Sequence, residues 1–246
     1  MDEFQDVNPA QVSLIKHLLT DSTDLFCVGD DWQSIYGFNG SDVNYIINFN
    51  AHFPNTKIIP LKYNFRSTGN IVHVGNEVIK FNKNKLEKEV LALKKYGEKV
   101  ILFNYNSEDD VVRFIQERIA FHLGGTEPIN PKDIMILGRR MHHYAYLRDR
   151  LKNISVRFST IHKSKGLQAK IIFVTGLKHG SGGFPDTWME DSIYQVLKPT
   201  DKNILLEEER RLFYVAITRA KDYLYLLTSN GLESQFIDEL PEPFID

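Results

Sequence analysis

The sequence predicts an α/β fold, a parallel sheet covered by helices on both faces, and three observations carry that prediction. From residue 99 onward, strand-like and helix-like runs alternate strictly: KVILFNYN, SEDDVVRFIQERIAFHL, DIMILGRR, HHYAYLRDRL. Strands separated by helices of that length pair in parallel and are buried on both sides. Earlier, LFCVG (residues 25–29) is a short apolar run closed by glycine, which reads as a buried strand. Later, EEERRLFYVAITRAKDYLYLL (residues 207–227) joins a charged amphipathic helix to a strand.

The chain has 246 residues, 42% hydrophobic and 25% charged, enough for one large core or two small ones. A formal net charge of −2 excludes a global positive field, so any nucleic-acid contact must come from a local groove. The single cysteine, Cys27, excludes an intrachain disulfide and a cysteine-based zinc motif, and suits a reducing, cytoplasmic setting. No apolar run reaches the ~18 residues of a membrane span and no signal-like N-terminal segment occurs, so no membrane partner is expected.

At the N-terminus, DEFQD sets Asp2, Glu3 and Asp6 ahead of Asn8-Pro9, which opens a helix with Val12, Leu14, Ile15, Leu18 and Leu19 at helical spacing. Carboxylates at strand tips line the crevice of a parallel α/β domain, though surface acids at a frayed end explain the segment equally well. After the first apolar run comes GDDWQSIYGFNGSD, with polar Asp30, Asp31, Gln33 and Ser34, and with Tyr36 and Phe38 presented between Gly37 and Gly40. Such aromatics suit base stacking, or else plug a domain interface. A helix over residues 42–52 then leads to the strand KIIPL.

YNFRST (residues 63–68) precedes a helix over residues 69–81, with Ser67 or Thr68 as N-cap. Arg66 beside the free helix N–H groups makes an anion site, unless it is incidental to a capping loop. Residues 82–98, rich in Lys, Glu and Asn, read as a solvated, flexible connector. Ser107 and Asp110 have capping-box spacing, and His142-His143 lacks a partner at metal-ligand spacing.

The runs VRFSTI and KIIFVTGL bracket His162-Lys163-Ser164-Lys165-Gly166, a turn with two ammonium groups and a glycine that permits close backbone approach. It is phosphate-facing in composition, or a basic turn on a sheet edge. It is not a P-loop, because G-x-x-x-x-G-K-[ST] occurs nowhere in the chain. GSGGFPDTW and VLKPTDKN read as loops. In the last helix Leu212, Val215 and Arg219 fall at i, i+3 and i+7, carrying a guanidinium on the packing face to the helix end. A buried arginine there needs an anion, a carboxylate or the helix's own last carbonyls.

Taken in order, DEFQD, GDDWQSIYGFNG, YNFRST, STIHKSKGL and EEERRLFYVAITRAK resemble the UvrD/Rep family of superfamily 1 DNA helicases over nearly the whole chain. KGLQAKIIFVTGLKHGSGGFP with the last run is similar to the DNA helicase IV branch. The resemblance implies RecA-like domains of the P-loop NTPase type: residues 1–60 as the C-terminal remnant of a first, and residues 61–246 as a second without a large inserted subdomain. It also implies ATP and Mg²⁺ as cofactors and single-stranded or partial-duplex DNA as a partner.

Carried over residue by residue, the resemblance makes Asp2 a holder of the Mg²⁺ of MgATP and Glu3 the general base. Gln33 senses the γ-phosphate, and Arg66 and Arg219 close on it as arginine fingers do. Gly166 lies by the nucleotide, and Phe65 stands where the family usually stacks a tyrosine on adenine. Thr160 and His162 touch the DNA backbone, and Tyr36 and Phe38 stack on bases. Three positions depart from the family: Phe38 replaces a tryptophan, Asn39 an arginine, and Gln168 the glutamate that meets the ATP ribose, which leaves ribose recognition open.

The family's Walker A loop precedes the position of Asp2. The resemblance therefore implies the C-terminal part of a longer helicase, moving 3′ to 5′, whose missing partner is its own N-terminal RecA-like segment; this part alone is expected not to hydrolyse ATP. Two other classes are weighed against it. One is a non-catalytic module that binds single-stranded DNA or a protein. The other is a metal-dependent nuclease built on Asp2, Glu3, Asp6, Asp30 and Asp31, for which the sequence shows no lysine paired with carboxylates in a strand context.

Overall fold

The computed structural model describes residues 1–125, 127–186 and 201–246. Asn8 and Gln11 cap α1 (Pro9–Leu18) reciprocally, each side chain accepting the other's backbone N–H at 2.9 Å. The helix buries Val12 in a small core with Phe4, Val7 and Phe53. Residues 25–29 do not form the expected buried strand. Their backbone is tied by Phe4 N–H to Val28 O (2.9 Å), Val28 N–H to Met1 O (2.8 Å) and the Met1 ammonium to Phe26 O (2.5 Å), and Phe26 is 77% exposed. KIIPL is likewise unpaired, with Ile58, Ile59 and Leu61 exposed. An apolar run becomes a buried strand only where neighbours complete the ladder and cover its faces, and none does so here among the described residues.

The helix expected over residues 42–52 is two short ones, α2 (Asn44–Ile47) and α3 (Phe49–His52), broken where Asn48 leaves helical geometry at φ −102°, ψ 36°. Asparagine favours such breaks because its side chain competes for backbone bonds. β1 (Tyr63–Asn64) precedes α4 (Gly69–Lys80), whose N-cap is Thr68, one of the two expected residues, though without a side-chain bond; Ser67 Oγ donates to Ala220 O (2.6 Å). The turn is closed by Asn64, whose Oδ1 accepts from Arg66 N (2.8 Å) and Ser67 N (2.9 Å).

Residues 82–98 are mostly exposed, as expected of a solvated connector, but they are tied to the body at several points. Asn82 is 1% exposed, and β2 (Leu91–Ala92) pairs in parallel with β1. Lys88 Nζ bridges Asp30 and Asp31 at 2.6 Å each, and Leu86 N–H donates to Asp31 Oδ2 (2.7 Å). Composition misleads because a lysine can bury its aliphatic stem while its charge finds carboxylates on another segment.

The main body begins with β3 (Ile101–Tyr105) and continues through α5 (Glu108–Leu123), β4 (Ile134–Gly138), α6 (His142–Arg150), β5 (Arg157–Thr160), β6 (Ala169–Leu177), α7 (Lys202–Ile217) and β7 (Ala220–Ser229). Ser107 and Asp110 do form a capping box at the start of α5. The strands make one parallel sheet in the order β3-β7-β6-β4-β5. Alternate residues of each strand face opposite layers. Met135, Leu137, Ile172, Val174 and Leu226 meet Ile71, Val74 and Val78 of α4 and Leu212 and Val215 of α7. Ile136, Ile171, Phe173, Tyr225 and Leu227 meet α5 and α6. This is the α/β sheet, helix-covered on both faces, that the alternation predicts. Of the two expected loops, GSGGFPDTW is a loop as far as Asp186, and VLKPTDKN lies mostly outside the described residues.

Candidate functional site

The last nine residues of α7, Glu209 to Ile217, are all buried, and the chain leaves the helix into equally buried surroundings. Arg219, just beyond the helix, is 1% exposed. Its Nε donates to Val215 O (3.1 Å), Nη1 to Leu167 O (3.2 Å), and Nη2 to Gln33 Oε1 (3.2 Å). Arg66 arrives from the turn before α4, with Nη1 donating to Thr218 O (3.1 Å) and Nε to Gln168 Oε1 (2.9 Å). The two guanidiniums therefore converge at the α7–β7 junction, as expected. Arg219 does cap its own helix, but no carboxylate pairs with either arginine among the described residues. Burial, and after it the neighbouring Arg66 charge, pull the Arg219 pKa down to about 10. The site holds two cations with neutral acceptors only, an arrangement that favours an anion.

Facing them is the acidic corner. Glu3 sits in the left-handed region at φ 52°, ψ 43°, a conformation that costs a non-glycine residue energy. Its Oε2 accepts from Gln5 Nε2 (2.5 Å), and Gln5, 1% exposed, in turn accepts from Asp30 N–H through Oε1 (2.9 Å). Gln33 donates to Asp30 Oδ2 (2.7 Å) while accepting from Arg219, so it links the acidic corner to the arginines. Asp2 is exposed, with one carboxylate oxygen accepting from Glu3 N–H. A single exposed carboxylate fits an Mg²⁺ held mainly by phosphates and water, since no group of three or more protein ligands exists among the described residues.

Lys165, in the sequence one of two ammonium groups in a basic turn, is a residue whose role the sequence missed. Its side chain is 8% exposed; Nζ pairs with Asp6 (2.5 Å) and Glu3 (3.3 Å) and donates to Gln33 O (3.0 Å). Burial raises the Asp6 pKa against the lowering effect of Lys165. Lys165 and Lys88 do pair with the acids, but neither lies in a strand, so the expectation that no lysine pairs with these carboxylates in a strand context stands. Both lysines engage the very oxygens that a nuclease would need for metal.

On the opposite side of the Asp31–Asn39 segment, Tyr36, Phe38, Thr160 and His162 line one groove of about 770 Å³ with Arg139 and Lys163. Phe38 is 68% exposed and meets the His162 ring edge-on at 5.4 Å. Tyr36 is only half-buried, but its hydroxyl already donates to His162 O (3.2 Å). Burial, with Arg139 nearby, drives the His162 pKa down to about 4, so its ring is neutral at physiological pH. Gly37 lets the loop touch α7: its N–H donates to Glu208 Oε1 (2.9 Å), and a Cβ there would lie 2.5 Å from that carboxylate. Glu209 pairs with Arg139 (2.8 Å). Phe65 stands apart, 73% exposed, and Gly166 (φ +82°) has open space before it. The signal for Glu208 and Glu209 was present in EEERRL, but a charge run on a helix reads as solvated surface.

Two family models match the chain. The UvrD-like helicase C-terminal domain covers residues 59–158 and 146–231. The UvrD/REP helicase N-terminal domain covers residues 1–54. DNA helicase IV of Escherichia coli (strain K12) is 31% identical over 253 residues, covering 100% of this chain and 34% of that protein. A probable DNA helicase II homolog of Mycoplasma capricolum is 35% identical over 70% of this chain and 24% of its own length. A probable DNA helicase of Mycoplasma pneumoniae is 32% identical over 93% of this chain and 42% of its own length. The chain spans less than half the length of each.

Proposed function

The chain belongs to the UvrD-like helicase family, and from that premise we propose that it is the C-terminal part of an ATP-dependent DNA helicase that couples ATP hydrolysis to 3′ to 5′ movement on single-stranded DNA. The observation that carries the reading is the meeting of Arg66 and Arg219 without a carboxylate partner. Residues 1–60 are the tail of a first RecA-like domain and residues 61–246 a second. The exposed apolar side chains of Phe26, Val28, Ile58, Ile59 and Leu61 suit burial against further strands of that first domain. The free Cys27 suits a reducing cytoplasm.

In this reading Glu3 orients the attacking water, and Asp2 reaches the Mg²⁺ of MgATP, which supplies charge neutralisation at the phosphates. Arg66 and Arg219 stabilise charge that develops on the γ-phosphate, an effect strongest in a site shielded from water. Gly166 lies by the nucleotide and exposed Phe65 offers a face to the adenine. Gln33, bonded to both Asp30 and Arg219, transmits a shift of Arg219 to the aromatic loop that follows it. There Phe38 stacks on a base, Tyr36 forms the groove wall, and Thr160 and neutral His162 offer hydrogen bonds, not charge, to the DNA backbone.

The test is DNA-stimulated ATP turnover by the full-length protein that contains this chain. Arg219→Ala lowers turnover by ~10²-fold or more with the circular dichroism spectrum unchanged. Undiminished turnover refutes the role of Arg219, and ATP hydrolysis by residues 1–246 alone refutes the assignment of this chain as an incomplete motor.

A further inference from the structure

Leu167, Gln168 and Ala169 carry the chain from the glycine turn into β6, and between them they hold three arginines. Leu167 O accepts from Arg219 Nη1 (3.2 Å), and Ala169 N–H donates to Arg219 O (3.1 Å). Gln168 O accepts from Arg157 Nη2 (2.8 Å), and Gln168 Oε1 accepts from Arg66 Nε (2.9 Å). Gln168 is exposed, so packing does not demand its amide. Its side chain nonetheless supplies the one side-chain acceptor for Arg66 among the described residues, the other acceptor being Thr218 O.

The chemistry of that acceptor matters. A carboxylate at the same distance would form a charge-assisted ion pair with the guanidinium and offset its positive field. An amide oxygen fixes Nε by its dipole and leaves the charge intact. Arg219 is likewise held only by neutral oxygens, so the same principle runs through the whole arginine pair.

We propose that Gln168 is a positioning residue that aims Arg66 without neutralising it, and that it does not bind the sugar of the nucleotide. This rests on the assignment of Arg66 to the phosphate, so the experiment reads the hold and its purpose separately. The hold is read in the 246-residue chain by NMR of arginine Nε–Hε groups. Gln168→Ala speeds Arg66 Hε exchange by ~10-fold or more, whereas Gln168→Glu keeps it slow. The purpose is read in the full-length protein by ATP turnover. Both variants lower kcat by roughly 10-fold while KM stays within about twofold, and the preference for ATP over 3′-deoxy-ATP is unchanged.

Unchanged Hε exchange in Gln168→Ala overturns the hold. Loss of the ribose preference with kcat preserved, or a Gln168→Glu enzyme as active as the parent, overturns the purpose in favour of a sugar contact. Arg66→Ala with undiminished turnover removes the phosphate assignment itself, and with it what Gln168 is for, while the NMR result still judges the contact.

Discussion

In β4, Ile134, Met135, Ile136 and Leu137 are 0–1% exposed between β5 and β6, whereas in residues 25–28 Phe26 is 77% exposed and Val28 40%. The two runs are alike in composition and differ in company. Within the sheet, backbone ladders and helix layers on both sides exclude water; the first 60 residues have one small core around Phe4, Val7, Val12 and Phe53. That region is held to the body mostly by side chains: Trp32 beneath Ile79 and Tyr214, Lys88 on Asp30 and Asp31, Lys165 on Glu3 and Asp6, Glu208 on Gly37. One region has its stability inside itself, and the other is docked by Trp32 and Ile35 together with charges.

The largest expected effect of that difference is in the body. Phe173, fully buried and stacked on Tyr225 at 4.6 Å, leaves a cavity when truncated, and Phe173→Ala costs about 3–5 kcal/mol in urea unfolding. Lys88→Ala strikes the docking. Asp31 has no exposed side-chain area and loses its cation, at a cost of about 2 kcal/mol, and hydrogen exchange quickens in residues 82–98 before the sheet is touched. Global unfolding with no local loss of protection would show that the two regions are one cooperative unit.

Acid sharpens the contrast next. Burial holds the His143 pKa down to about 4, against 6.5 for the free side chain. The unfolded chain therefore binds the proton first as pH falls. The stabilisation is complete above pH 6.5 and is lost between there and about pH 4, amounting to on the order of 2 kcal/mol by pH 5. An NMR titration in which the His143 ring protonates near pH 6.5 would contradict it. The smallest effect is at the exposed run, where Phe26→Ala changes the free energy of unfolding by no more than about 0.5 kcal/mol in the isolated chain.

Much of this was legible in the residues. The alternation from Lys99 onward predicts the sheet and its two helix layers, and the capping pairs Asn8–Gln11 and Ser107–Asp110 place helix starts where they occur. The convergence of Arg66 and Arg219 was implied only by the resemblance of the motifs to the UvrD/Rep family, not by their spacing. The ties of residues 82–98 were not legible, because Lys, Glu and Asn look the same in a solvated loop as in a strap whose charges are met elsewhere. Nor was Lys165, whose partners Asp6 and Gln33 lie 159 and 132 positions away.

By itself the sequence determined the periodicity, hence which segments are strands or helices in the body, and the chemical groups available to a phosphate and a base. Those depend on spacing of a few residues along the chain, which is local. Only the tertiary structure decided which charges are neutralised: Asp30, Asp31 and Asp6 by lysines, Arg66 and Arg219 by no carboxylate among the described residues. Electrostatic pairing depends on distance through space and on burial, and neither is written in the order of the residues.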